Sequence, residues 1–352
     1  MHKQDTTLGW DVGGAHLKAA LVDCDGNALQ VVQLACPLWR GLDQLHRAID
    51  LVLEKIDHIP CQHVVTMTGE LADIFADRST GVMQIADAIS CQLKQKPLFY
   101  AGAAGLVELQ EVNQHLVPIA SANWLASGIF VAERVNNCLF VDIGSTTADI
   151  LLISDGQPRN RGSTDAERMQ YEELIYTGVL RTSLMSLAER VAFAGEWQTL
   201  AAEHFATTAD VYRLTDNLPI SEDMTETADG AGKTAHDSAR RIARMIGRDL
   251  ADATMLAWIE LSNSFKQIQL QRLKNVAMRH FSRNLLSQEA PIVGAGAGSF
   301  LVRELARQLN RQYLEINDLI MVDSEDNTEL RHWAAICLPA YAVACMAAKA
   351  NQ

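Results

Sequence analysis

Two stretches carry residue types that can hold and activate a phosphate. Residues 139–153 run apolar up to Asp142, turn through Gly144, Ser145, Thr146 and Thr147, and become apolar again after Asp149. A glycine in such a turn lets backbone N–H groups approach an anion, and the three hydroxyls add donors. A carboxylate at its mouth can hold a hydrated Mg²⁺ against phosphate oxygens. Residues 9–23 repeat the pattern: Asp11 aligns with Asp142, Gly13 with Gly144 and Lys18 with Asp149. Each copy ends in an Asp-Gly turn signal, Asp25-Gly26 and Asp155-Gly156. One Asp-x-Gly hairpin reads as a surface turn. Two with matching flanks read as a duplicated phosphate-binding domain with a cleft between its halves. Asp11 and Asp142 each close an apolar strand, where a carboxylate is costly unless it meets a cation or hydrogen bonds. The expected phosphate contacts are Gly13, Gly14, Gly144, Ser145, Thr146 and Thr147, with Asp11 and Asp142 on the metal.

Other motifs are weaker. Gly294-Ala295-Gly296-Ala297-Gly298-Ser299 follows an apolar run and opens a helical pattern. Such a turn brings phosphate to a helix N-terminus, which makes Gly294, Gly296, Gly298 and Ser299 further phosphate candidates. Ser299 stands where a dinucleotide motif needs its third glycine; Glu315 beyond it keeps that reading open. Asp229-Gly230-Ala231-Gly232-Lys233-Thr234 lacks the first P-loop glycine and a preceding strand, so it reads as a loop entering a helix. Thr68-Gly69-Glu70 sits where a strand passes into a helix, and Glu70 either caps that helix or acts as a base. His16 and Lys18 share one face of the strand after the first turn. Lys18 is a phosphate partner or a solvated lysine; the remaining histidines have no metal-binding spacing.

These residues need a scaffold of strands and helices. Residues 27–36 read as a third strand, 42–56 as an amphipathic helix, and 63–67 as a strand leading through Thr68 into a helix. A second helical pattern covers 81–93, a short strand 97–100, and a helix 122–135 reaches the second hairpin. Beyond it, 157–165 is loop-rich and 217–234 is the least regular part. Helical spacing then runs from 235 to 286. A strand at 291–293, a helix over 299–309 and a closing helix over 333–348, interrupted near Pro339, complete the chain. The layout is α/β with a mixed sheet. It divides into 1–137, carrying hairpin 1, and 138–352, carrying hairpin 2, a helical insert and the glycine turn.

The chain of 352 residues suits two domains. A net charge of -13, with no basic patch, argues against a nucleic-acid surface. Seven cysteines without C-x-x-C spacing suggest reduced thiols. No signal peptide and no apolar run of membrane-spanning length is visible, so a soluble cytoplasmic protein is expected.

Two Asp-x-Gly hairpins opening two α/β halves, with a late glycine turn, resemble the actin, sugar kinase and heat-shock chaperone ATPase superfamily. That resemblance implies a two-domain actin-like ATPase (ribonuclease H-like) fold; the short distance between hairpins fits its compact members. More narrowly, the chain resembles the hydantoinase/oxoprolinase-like proteins of tetrahydromethanopterin-linked one-carbon transfer. The residues that carry this are 9–19, Thr68-Gly69-Glu70-Leu71, 142–149, Gly162-Ser163-Thr164-Asp165, Tyr176-Thr177-Gly178-Val179 and Ala228-Asp229-Gly230. The resemblance implies condensation of an aminomethylfuran diphosphate with a glutamylated tyramine- or tyrosine-type phenol in methanofuran (methylofuran) biosynthesis, with release of diphosphate. It also implies Mg²⁺ as cofactor, with ATP possible but not required, and Glu70, His16 and Lys18 as catalytic candidates. Expected partners are the small-molecule diphosphate and phenolic amine substrates and a second copy in a homodimer, with no nucleic acid and no membrane. Two alternatives stand beside it: an ATP-dependent small-molecule kinase or amide hydrolase, and a non-enzymatic nucleotide sensor.

Overall fold

The computed structural model describes residues 6–57, 59–323 and 327–350. Its strands are β1 Thr7–Val12, β2 His16–Val22, β3 Ala28–Ala35, β4 Gln62–Met67, β5 Leu98–Tyr100, β6 Leu106–Glu108, β7 Cys138–Ile143, β8 Ala148–Ser154, β9 Gln157–Pro158, β10 Leu174–Ile175, β11 Arg190–Phe193, β12 Glu196–Thr199, β13 Ile292–Ala295 and β14 Tyr313–Glu315. Its α-helices are α1 Leu42–Lys55, α2 Arg78–Gln92, α3 Leu116–Ile119, α4 Asn123–Ala132, α5 Asp165–Gln170, α6 Thr208–Leu214, α7 Ala235–Met245, α8 Met255–Phe281, α9 Ser299–Gln308, α10 Thr328–Ile336 and α11 Leu338–Ala350.

The chain forms two compact units. One comprises residues up to Asn137, Ile153–Tyr171 and those from Glu315 onward; the other comprises Cys138–Leu152 and Glu172–Leu314. The expected break after residue 137 is present, but the C-terminal segment does not stay with the second half. It returns to the first unit because α10 and α11 are needed there. α11 packs on β1, β2 and β4. A Cβ at Gly9 would overlap the Ala340 carbonyl, so glycine lets helix and sheet close up.

The first unit's sheet has the order β3-β2-β1-β4-β5-β6. β1 is antiparallel to β2 and parallel to β4. β1 is buried along its whole length, as a strand covered by helices on both faces must be. Leu8, Trp10 and Val12 join Leu45, Ile49 and Val52 of α1 and Val82, Ile85 and Ile89 of α2 in one core. α11 is buried on nearly every side, which explains its apolar, stripe-free sequence. α10 and α11 are bent by 98° about Cys337, and among the described residues no single helix is long and apolar enough to cross a membrane.

The second unit's sheet has the order β10-β8-β7-β13-β14. Its core joins Val141, Ile143 and Ile150 to Trp258, Phe265 and Leu273 of α8. The expected helical run over 235–286 is two helices, because Gly247 takes a positive φ of 68° after α7 and Thr254 caps α8 anew. The β11–β12 hairpin and α6 had no strong periodic signal. Thr68-Gly69-Glu70 does not enter a helix directly. Turns fill the path to Asp77, whose carboxylate caps α2 by accepting from the Thr80 N–H at 2.8 Å. The capping role considered for Glu70 therefore belongs to Asp77.

Candidate functional site

The two hairpins are built alike down to single hydrogen bonds. In the first, the Gly13 N–H donates to the His16 carbonyl at 3.0 Å; in the second, the Gly144 N–H donates to that of Thr147 at 2.9 Å. The parallel neighbour of each hairpin ends in a glycine turn that closes back on it. Gly69 N–H donates to Val12 O at 2.9 Å, and Gly298 N–H to Ile143 O at 2.9 Å. Thr68-Gly69-Glu70 is thus the counterpart of the late glycine turn, an equivalence invisible in the residue letters.

The third strand of each hairpin supplies a strap. Cys36 and Leu38 N–H donate to Ala15 O at 2.8 Å and Gly14 O at 3.0 Å. In the second unit, Gly178 N–H donates to Thr146 O at 3.0 Å, Val179 N–H to Gly144 O at 3.1 Å, and Leu180 and Arg181 N–H to Ser145 O at 3.0 and 2.9 Å. Gly178 lies so close that a Cβ there would overlap Ser145 and Thr146. All three carbonyls at 144–146 are therefore tied back. Among the described residues no backbone carbonyl takes the N–H of Ser145, Thr146 or Thr147. These residues are half-buried, and amides so left in a turn are what an anion-binding nest requires. Gly14 and Ala15 offer the first turn no hydroxyls.

Asp142 is the last-but-one residue of β7, opposite Ala295 of β13. A Cβ at Gly296, whose φ is 76°, would overlap Asp142 Oδ1 and the Ile143 carbonyl. Only a glycine leaves room there for the carboxylate, at the carboxyl end of the strands. Gly298 packs on Ile143 and Val179, and Ser299 N–H donates to Gly296 O at 3.1 Å. Gly294 proves to be a packing glycine: the Tyr313 ring fills the place its Cβ would take, 2.7 Å away. It leaves the phosphate set.

Asp11 is 4% exposed, and its Oδ2 faces Lys18 Nζ at 3.9 Å across the β1–β2 pair. Lys18 Nζ also donates to the Ile336 carbonyl at 3.2 Å, at the end of α10. Lys18 is therefore engaged inside its own unit. His16 is buried at the start of β2. Among the described residues no three His, Cys, Asp or Glu side chains converge as a metal site. A hydrated Mg²⁺ needs no such cluster, because it takes one or two carboxylates and fills its shell with waters and phosphate oxygens. Asp142, at the carboxyl end of β7 beside those amides, fits that chemistry, and Asp11, with Lys18 Nζ 3.9 Å away, is the matching carboxylate of the first hairpin.

Glu70 lies in a polar cluster of the first unit. Its side chain is 0% exposed, and Gly81 of α2 packs on its backbone. Ser121 Oγ lies 2.6 Å from Glu70 Oε1 and 3.2 Å from Asp165 Oδ2. Arg78 Nη2 donates to the same Asp165 oxygen at 2.8 Å. Glu70 Oε2 is buried without a hydrogen-bond partner. Burial pushes the Glu70 carboxyl above the ordinary range, against a smaller opposing pull from Ser121 and Arg78. A fully buried Glu70 cannot meet a substrate itself. Ser121, with φ 50°, and Arg78 carry no local sequence signal.

The loop at 229–234 is structural. Asp229 pairs with buried Arg241 at 3.0 Å, Lys233 Nζ donates to Asp223 O at 2.6 Å, and Thr234 forms a capping box with Asp237 on α7.

A family model, hydantoinase/oxoprolinase, matches residues 62–321. The chain belongs to the hydantoinase/oxoprolinase family. The match begins at β4, so hairpin 1 rests on the architecture. The chain is similar to the (4-{4-[2-(gamma-L-glutamylamino)ethyl]phenoxymethyl}furan-2-yl)methanamine synthase of Methanocaldococcus jannaschii, 29% identical over 243 residues, 69% of this chain and 72% of that protein. A synthase of the same name from Methanococcus vannielii is 30% identical over 187 residues, 52% of this chain and 81% of that protein. Among solved structures, nucleotide-free acetone carboxylase overlays with a TM-score of 0.57 at 11% identity, covering 97% of this chain and 70% of that one. The fold is the actin-like α/β fold, with the hairpin duplicated in the two units.

Proposed function

We propose that the chain is a synthase that joins a furan methylene to a phenol oxygen, displacing diphosphate. The observation that carries this reading is the turn at 144–147, with its carbonyls tied back and, among the described residues, no backbone carbonyl on the amides of 145–147. The substrate class comes from the similar synthases, whose printed name describes a furan bearing a phenoxymethyl ether and an aminomethyl group. An aminomethylfuran diphosphate and a glutamylated phenolic amine are the matching precursors.

In this reaction the carbon–oxygen bond to diphosphate breaks, its electron pair leaves on diphosphate, and the phenol oxygen bonds the methylene. The furan spreads positive charge from that carbon, so the transition state is loose and most of the new charge sits on the leaving group. Preorganised amides at 145–147 and the hydroxyls of Ser145, Thr146 and Thr147 hold that charge without reorganisation. Asp142 would hold a Mg²⁺ together with phosphate oxygens, and the ion would supply neutralisation of the leaving group. The phenol proton must go to a base.

Wild-type protein with Mg²⁺, an aminomethylfuran diphosphate and a glutamylated phenol should release diphosphate and form the ether, and Asp142→Asn should lower that rate by about a hundredfold or more. Absence of ether with every phenolic acceptor overturns the reading. The ATP-dependent alternative is separated by thermal shift, since a ligand that binds only the native state raises its stability. Diphosphate and furan diphosphates should raise Tm more than ATP.

A further inference from the structure

The first unit holds a cavity of about 820 Å³ at the end of its sheet remote from the hairpin turn. Thr7 opens β1, Gln62 opens β4 and Leu98 opens β5, and all three line it. β1 runs parallel to β4 with Thr7 opposite Gln62, and β4 runs parallel to β5. The cavity therefore lies at the amino ends of these strands. Hairpin 1 turns at the other end of β1, about 17 Å away at the rise of a strand. Every residue of the wall belongs to the first unit. The volume suits a small-molecule site.

The wall divides by chemistry. Thr6, Thr7, Leu93 and Pro97 are buried and form its depth; Lys94, Lys96 and Gln110 are exposed and form its rim. Among the described residues Lys94 and Lys96 have no ion-pair partner. The loop that carries them is pinned. Gln95, between the two, donates to Pro60 O at 3.1 Å, and its Oε1 meets His63 Nε2 at 3.3 Å. Glu108 also lines the rim, but its carboxylate accepts from Gln110 Nε2 at 2.7 Å and caps the turn that follows. Two ammonium groups against one engaged carboxylate leave the rim positive. In the α2 wall, Ser90 Oγ is buried without a hydrogen-bond partner. Such a group costs free energy until something in the cavity pairs with it.

The wall contains no arginine and no glycine. It lacks the planar fork and the backbone nest that single out phosphoryl groups. Lysine point charges, side-chain amides and a hydroxyl suit a carboxylate, and Leu93, Pro97, Leu98 and Leu109 suit an apolar body. We propose that this cavity is a second ligand site, for a small organic carboxylate with an apolar body. The carboxylate meets Lys94 and Lys96, and the hydrocarbon part lies over Leu93, Pro97 and Leu98. The site is separate from the turn at 144–147 and independent of the ether-forming reading.

Straight-chain carboxylates from butyrate to octanoate are the probes, with hexyl phosphate and hexylamine as controls. Cys61 reports occupancy: it is exposed and lines the cavity, whereas Cys91 is exposed and lies outside the wall. Hexanoate at about ten times its Kd should raise Tm and slow alkylation of Cys61, relative to Cys91, by about tenfold. Lys94→Gln combined with Lys96→Gln, both at exposed positions, should keep the native circular dichroism and weaken hexanoate binding by at least about tenfold. Asp142→Asn should bind hexanoate as wild type does. The proposal is overturned if no chain length protects Cys61, or if hexylamine protects it equally. Tighter binding of hexyl phosphate, an unchanged affinity in the double lysine variant, or loss of binding in Asp142→Asn overturns it too.

Discussion

His63 shows what a single buried residue adds to the behaviour of the first unit. Trp10 Nε1 donates to His63 Nδ1 at 3.1 Å, and His63 Nε2 meets Gln95 Oε1 at 3.3 Å. Only the neutral ring, with its hydrogen on Nε2, satisfies both. Burial lowers the pKa from the ordinary 6.5 to about 4. The folded state therefore binds fewer protons than the unfolded chain between these values, and stability from this group is lost as pH falls from 6.5 toward 4. The loss is on the order of 3 kcal/mol at most. Tm measured across that range should fall in wild type and fall less in His63→Leu; parallel curves would contradict the assignment. Glu70 works in the opposite sense. Its raised carboxyl contributes most below the ordinary 4.5 and loses ground as pH rises above it.

At the scale of elements, the strap at 176–181 matters more than its irregular appearance suggests. It ties the carbonyls of 144–146, and it is itself held from behind. Gln269, buried in the middle of α8, donates to Thr177 O at 3.1 Å and Gly178 O at 3.0 Å, and accepts from the Tyr212 hydroxyl of α6. Thr208 Oγ1 adds a bond to Gly178 O at 3.0 Å. The helices thus hold the loop, and the loop holds the turn. A Cβ at Gly178 has no room, and the overlap is with backbone, which cannot rotate away. Gly178→Ala should cost about 3 kcal/mol of stability by forced overpacking. Gln269→Leu strands buried carbonyls and should weaken diphosphate binding while leaving the fold intact. Calorimetry with diphosphate and urea titration separate the two effects, and an unchanged affinity in Gln269→Leu would remove the link between α8 and the turn.

The whole molecule depends on the chain's return. The first unit's sheet is complete only when α11 covers β1, β2 and β4, and Val322 makes a bridge with Ala28 beside it. Lys18 reaches the end of α10, and the Tyr341 hydroxyl donates to Gly26 O at 2.8 Å. A chain ending at Leu314 would leave the α11-facing side of that sheet bare. Such a truncation should lose the cooperative unfolding of the first unit, and adding a separate peptide spanning α10 and α11 should restore part of it. Retention of native near-ultraviolet circular dichroism by the truncated chain would show that the return is dispensable.

The repeated Asp-x-Gly hairpins, most strands and the glycine turn could be read from the letters, because alternation and turn residues are local properties. The place of Asp142 and of the hydroxyl residues 145–147 at the second turn was legible for the same reason. The equivalence of Thr68-Gly69-Glu70 with the late glycine turn was not, since the two share a hydrogen-bond pattern and not a sequence. Nor were the packing role of Gly294, the capping of α2 by Asp77, or the ion pair of Asp11 with Lys18. Glu70 stands out in the sequence, but its neighbours Ser121, Asp165 and Arg78 come from separate loops and helices. Which hydrogen each oxygen carries depends on burial and on neighbours brought together only by folding. Sequence by itself determined that this chain builds two Asp-x-Gly hairpin turns. Tertiary structure decided that the carbonyls of both turns are tied back by the segment that folds against them, because a backbone carbonyl's partner is chosen by the neighbouring chain and not by its own residue.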